Sequence, residues 1–148
     1  MGLAQDFANK VVFLDTAPLI YYIEENPRYE KILGELFAAQ ERYKYQFLSS
    51  VVTLLEVMVL PLRQKEKELA KAYQTILTNS PSITLVDVNV EIAKTAARLR
   101  ADYALKTPDA IQLAAAVCYS ADYFLTNDHH LKTVKEANVI TLDDVSCF

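Results

Sequence analysis

Five short strand-like runs, separated by stretches of helical period, constrain this chain more than any other feature of its sequence. The first, Val11-Val12-Phe13-Leu14, is apolar at every position, begins with β-branched residues and stops at Asp15. Such a run suits a strand covered on both faces, as in a parallel sheet, and not one with a wet side. Residues 45–49, 83–86, 123–125 and 139–142 are further strand candidates.

The intervening stretches read as helices. Ala17-Pro18 opens the first, proline being tolerated in an opening turn, and Asn26-Pro27 stops it. Residues 29–40 place Ile32, Leu33, Leu36 and Phe37 on one face. Ser49-Ser50 is a good N-cap pair for a buried helix over 51–60, although the β-branched content there also suits a strand. Residues 63–77 alternate Lys and Glu on a wet side and turn Leu69, Ala72, Tyr73 and Ile76 inward. Asn89 caps a long helix through Ile92, Ala93, Ala96, Ala97, Leu99 and Tyr103. Thr107-Pro108-Asp109 opens the next with an N-cap, a proline at the first position and an acid in the first turn. Asn127 or Asp128 starts a short last helix toward Ala137. Strands alternating with helices, without repeats or shifts of composition, predict one α/β domain over residues 1–148 around a parallel sheet.

Composition narrows the function classes. Of 148 residues, 52% are hydrophobic and 23% charged, and only two are glycine and five proline. That mix belongs to a packed domain and not to a linker or disordered tract. No apolar run reaches the roughly 18–20 residues needed to cross a bilayer, and residues 1–10 lack a signal pattern. A cytoplasmic location is the expectation. The net charge of −4 argues against a broad basic face for long nucleic acid. It is compatible with a nuclease, because metal ions and a few local cations neutralise phosphates at a site. Cys118 reads as buried filler; with Cys147 it offers no zinc spacing.

In α/β folds, ligands sit outside the carboxyl ends of the strands near a topological switch point. Three such junctions carry aspartate: Asp15 after the first strand, Asp109 in the first turn of a helix, and Asp128 just past Thr126. A fourth acid, Glu56, is the one charge in the ten residues 51–60. A carboxylate in a buried helix is costly unless paired or bound to a cation. Singly, each acid has a plain reading: Glu56 as a salt bridge or a break to solvent, Asp109 as complement to the helix dipole, Asp15 and Asp128 as caps or turn residues. Together they would repel and raise one another's pKa, a conflict that a dication resolves. Oxygen ligands without Cys or His select Mg²⁺ or Mn²⁺ over Zn²⁺.

At these positions the sequence resembles the PIN-domain nucleases, in particular the VapC-type ribonuclease toxins. The run 12–20, ending Asp15-Thr16-Ala17-Pro18-Leu19-Ile20, is similar to the family's opening strand and first aspartate. Ser49-Ser50-Val51-Val52-Thr53-Leu54-Leu55-Glu56 matches the second motif, Thr107-Pro108-Asp109-Ala110-Ile111-Gln112 the third, and Leu125-Thr126-Asn127-Asp128-His129-His130 the fourth. Each motif is short; four in order are specific. The resemblance implies a three-layer α/β/α domain with about five parallel strands. It implies a metal-dependent endoribonuclease, the toxin of a type II toxin–antitoxin pair, with a small antitoxin as partner and commonly a homodimer. It assigns Asp15, Glu56, Asp109 and Asp128 to the Mg²⁺ or Mn²⁺ site and to catalysis, with Thr16 and Thr126 as supporting hydroxyls. Where some relatives carry another acid after the last aspartate, His129 and His130 stand here.

Substrate contacts are expected from Arg98, Arg100 and Lys106 before the third motif, and from Lys132 and Lys135 after the fourth; each also fits a solvated helix face. A dehalogenase-type phosphatase would need Asp-x-Asp at the first strand, which Asp15-Thr16-Ala17 breaks. A phosphorylation receiver would need paired acids there. A catalytically silent PIN scaffold that binds protein is the alternative of a different class.

Overall fold

The computed structural model describes residues 2–145, so Cys147 lies outside the described residues. Its centre is a five-stranded sheet of β1 (Val11–Leu14), β2 (Gln46–Ser50), β3 (Ile83–Val86), β4 (Tyr123–Thr126) and β5 (Val139–Thr141). The spatial order is β3-β2-β1-β4-β5 and every pair is parallel. The chain thus steps outward from β1 on one side, then returns to lay β4 on the other side of β1. The switch point lies between β1 and β4.

Alternation along the strands sends successive side chains to opposite faces. Val12, Leu14, Phe47 and Leu125 point into one core and Phe13, Leu48 and Phe124 into the other. Phe13 and Phe124 are register partners, and their rings stack at 5.5 Å. The first core is covered by helices α1 (Leu3–Asp6), α2 (Thr16–Ile23), α3 (Glu30–Tyr43), α4 (Val51–Arg63) and α5 (Lys67–Asn79). The second is covered by α6 (Val90–Tyr103) and α7 (Thr107–Cys118). A 3₁₀ turn, His129–Thr133, follows β4, and α8 (Leu142–Val145) follows β5. This is the three-layer α/β/α arrangement. Among the described residues no helix is long and apolar enough to cross a membrane.

Several local expectations shift. Residues 51–60 are helix, and the helix runs on through Pro61 to Arg63. The helix expected over 63–77 is instead divided by a turn at 64–66, where Lys65 takes a left-handed φ of 59°. Its inward face is Ala70, Tyr73 and Leu77; Ala72 is exposed. Thr107 does not cap α7: Lys106 holds the cap position and the Thr107 hydroxyl accepts from Arg100 Nη1 at 2.9 Å. Asn89 does cap α6, its Oδ1 accepting from the Ile92 N–H at 2.9 Å. Cys118 is exposed at the end of α7, because the buried stripe of that helix stops at Ala116. The largest change concerns α4. Only Thr53, Val57 and Pro61 are buried on it, while Leu55 is 64% and Leu62 55% exposed. Composition does not distinguish an apolar helix side that faces a core from one that faces outward.

Candidate metal centre

Asp15 leaves β1 at the sheet's carboxyl edge and is the N-cap of α2. Its Oδ1 accepts from the Thr16 N–H at 2.9 Å, and its Oδ2 accepts from the Thr126 hydroxyl at 2.8 Å. The residue is 8% exposed. Burial pushes its carboxyl up to about 6 against the pull of those two hydrogen bonds, and the charges of Asp109 and Glu56 add to the rise.

Thr126, wholly buried as the last residue of β4, connects two of the acids. While donating to Asp15 it accepts from the Asp128 N–H at 3.1 Å. Asp128 then caps the 3₁₀ turn, its Oδ1 accepting from the His130 N–H at 3.0 Å. One threonine hydroxyl therefore sets the spacing between the ends of β1 and β4, at the switch point that the fold class predicts.

Glu56 approaches from α4, whose N-cap is Ser50, with the Ser50 Oγ accepting from the Val52 N–H at 3.1 Å. The Thr16 hydroxyl donates to Glu56 Oε1 at 3.0 Å. Glu56 is exposed, not buried as expected, so its placement rests on that hydrogen bond and not on enclosure by apolar neighbours. Asp109, partly buried in the first turn of α7, is raised by burial and then by the charges of Asp128 and Glu56; Lys106 and His130 oppose the rise. The four acids thus lie within electrostatic reach of one another; Thr16 contacts Asp15 and Glu56, and Thr126 contacts Asp15 and Asp128.

The donor set is oxygen throughout, and its members raise the pKa of Asp15 and Asp109. The oxygen-only set fits a hard divalent cation better than zinc, and the mutual repulsion of its members fits a bound cation of any kind. Among the described residues no three His, Cys, Asp or Glu side chains already converge closely enough to hold an ion.

The basic residues divide. Lys106 and His130 lie close enough to influence Asp109. Arg100 is committed to the α6–α7 connection, donating to the Leu105 carbonyl at 2.8 Å and to Thr107. Arg98 donates to the Thr95 hydroxyl at 3.2 Å, and Lys132 pairs with Asp144 at 2.6 Å. His129 Nε2 sits 3.1 Å from Asp143 Oδ2, which also receives Arg28 through its other oxygen. Sequence reasoning gave Ser50 its role as a helix cap but assigned none to Asp143, nor to Thr53 and Gln112, which are buried with Ser50 beneath the acids. Gln112 had one available signal, a lone amide among Ile111, Leu113 and Ala114.

A family model described as the PIN domain matches residues 12–137. No curated protein matches by sequence. Among solved structures, VapBC2 from Rickettsia felis, bound to a promoter DNA fragment, is similar at a TM-score of 0.70 and 17% identity, covering 88% of this chain and 98% of that one. A toxin–antitoxin complex from Klebsiella pneumoniae gives 0.66 and 23%, covering 88% and 97%. VapC20 from Mycobacterium tuberculosis, a toxin that cleaves the sarcin–ricin loop, gives 0.64 and 16%, covering 76% and 86%. At these identities the likeness is one of fold.

Proposed function

Since the chain belongs to the PIN domain family, we propose that it is a Mg²⁺- or Mn²⁺-dependent endoribonuclease and the cytoplasmic toxin of a type II toxin–antitoxin pair. The observation that carries this reading is the gathering of Asp15, Glu56, Asp109 and Asp128 at the carboxyl edge of the sheet around the β1–β4 switch point.

Asp15 and Asp109 would be the primary residues that hold the ion, with Glu56 and Asp128 assisting. A bound dication lowers the pKa of a coordinated water and offsets charge on the attacked phosphate. The Thr126 hydroxyl and the Thr16 N–H orient Asp15, one at each carboxylate oxygen. Glu56 Oε1 is held by the Thr16 hydroxyl, leaving Oε2 to take the proton of the attacking water. Lys106, beside Asp109, offers positive charge to RNA phosphates. The exposed stripe Leu55, Val59 and Leu62 on α4 recurs at helical spacing and supports pairing of two copies of the chain. The fold likeness to toxins solved with their antitoxins supports a small antitoxin as the second partner.

The test is cleavage of end-labelled tRNA and mRNA by the purified protein with Mg²⁺ or Mn²⁺. Cleavage lost in EDTA and in Asp109→Ala is expected. Cleavage that persists in the variant with saturating metal would sink the assignment.

A further inference from the structure

Below the acids, three buried polar side chains bridge α4 and α7. Gln112 is 1% exposed, and Ser50 and Thr53 are wholly buried. The Ser50 hydroxyl donates to Gln112 Oε1, and Gln112 Nε2 donates to the Thr53 hydroxyl. Ser50 also caps α4 through the Val52 N–H. The amide therefore clasps the opening turn of α4 at two points from the neighbouring helix.

The placement of this clasp is what matters. Thr53 stands three residues before Glu56 on α4, and Gln112 three residues after Asp109 on α7. Each is about one helical turn from its acid. Whatever fixes Thr53 against Gln112 also fixes how far apart, and at what height, the two carboxylates stand. An apolar contact tolerates a small slide of one helix along the other. Two hydrogen bonds to one planar amide do not, because they weaken steeply with distance and angle. The low-dielectric surroundings make any broken member costly.

We propose that Gln112 is a positioning residue for the metal site, locking α7 to α4 so that Asp109 and Glu56 face one cation at a fixed gap. This rests on the metal-dependent reading above. A Glu at this position would add a buried charge beneath four acids, and a Leu would lose both bonds; Gln supplies an acceptor at one end and a donor at the other without charge.

Calorimetric titration with Mn²⁺, beside urea unfolding, tests the inference in four proteins: wild type, Gln112→Met, Thr53→Val/Gln112→Met and Thr53→Ser. Outer partners that orient metal ligands typically change affinity about 10–100-fold. Gln112→Met is expected to bind Mn²⁺ at least about tenfold more weakly and to be less stable. The double variant, in which the Thr53 hydroxyl is no longer left without its partner although the buried Ser50 hydroxyl still lacks its acceptor, is expected to regain part of the stability but none of the affinity. Thr53→Ser, which keeps the hydroxyl, is expected to bind as wild type does. Affinity in Gln112→Met within about twofold of wild type, or affinity recovered with stability in the double variant, would overturn the lock alone. A wild-type protein that gives no heat with Mn²⁺ would overturn the metal reading and the lock with it.

Discussion

Replacing Asp15 by asparagine is expected to abolish cleavage and yet stabilise the metal-free protein at neutral pH. Asp15 is 8% exposed and its carboxyl is pushed from the ordinary 3.8 up to about 6, chiefly by burial. In the unfolded chain the group returns to its ordinary value, so the folded state holds the proton more tightly. The sign follows: the folded protein carries no penalty from this group below about pH 4, and the full penalty once the pH has risen above about 6. The lift corresponds to about 3 kcal/mol at pH 7.5. Asparagine removes that titration. It keeps an oxygen for the Thr16 N–H but turns an amide toward the Thr126 hydroxyl, which now donates to Asp15. Losing that bond costs about 1 kcal/mol. The net gain is about 2 kcal/mol, or about 1 M in the urea midpoint for a chain of this size.

The assay is urea unfolding in EDTA, followed by far-ultraviolet circular dichroism at pH 7.5 and again at pH 4.5. The variant should be the more stable protein at the higher pH, with the gap closing or reversing at the lower. Adding Mn²⁺ should raise the wild-type midpoint and leave the variant's unchanged, since only a state that binds the ion gains from it. A variant less stable than wild type at pH 7.5 in EDTA would refute the reasoning. So would an equal difference at both pH values, because the argument requires the gain to track ionisation of the carboxylate.

Protons should compete with the dication at Asp15 and Asp109, both raised by burial and by neighbouring acids. Mn²⁺ affinity is therefore expected to fall steeply as the pH drops below about 6, and a titration flat from pH 7.5 to 5 would contradict this. Charging the exposed stripe of α4 with Leu55→Glu and Val59→Glu should convert a dimer to a monomer in sedimentation velocity with the urea midpoint essentially unchanged; a sedimentation coefficient identical to wild type would count against pairing through that face.

How much of this was legible in the sequence depended on whether a residue's reason lay nearby along the chain. β1 was legible because a four-residue apolar run has few other uses, and the acids because a carboxylate at a strand end has to be capped, paired or coordinated. The Asn89 cap was legible for the same local reason. Thr107 misled because its hydroxyl serves Arg100, seven residues back, a partner that no capping rule specifies. The break at 64–66 carries no glycine or proline, and Lys65 bears the left-handed turn in their place. Glu56 was selected on the expectation that α4 is buried, yet the structure ties it to Asp15 by another route, through the hydroxyl of Thr16. That substitution of cause has a consequence for design. An acid positioned by burial would resist repacking of its surroundings, whereas one positioned by a single hydroxyl and by the register of its helix depends on whatever holds that helix in place. The residues that fix α4 against α7 therefore bear on the chemistry as directly as the ligands do, although composition and periodicity mark them only as interior.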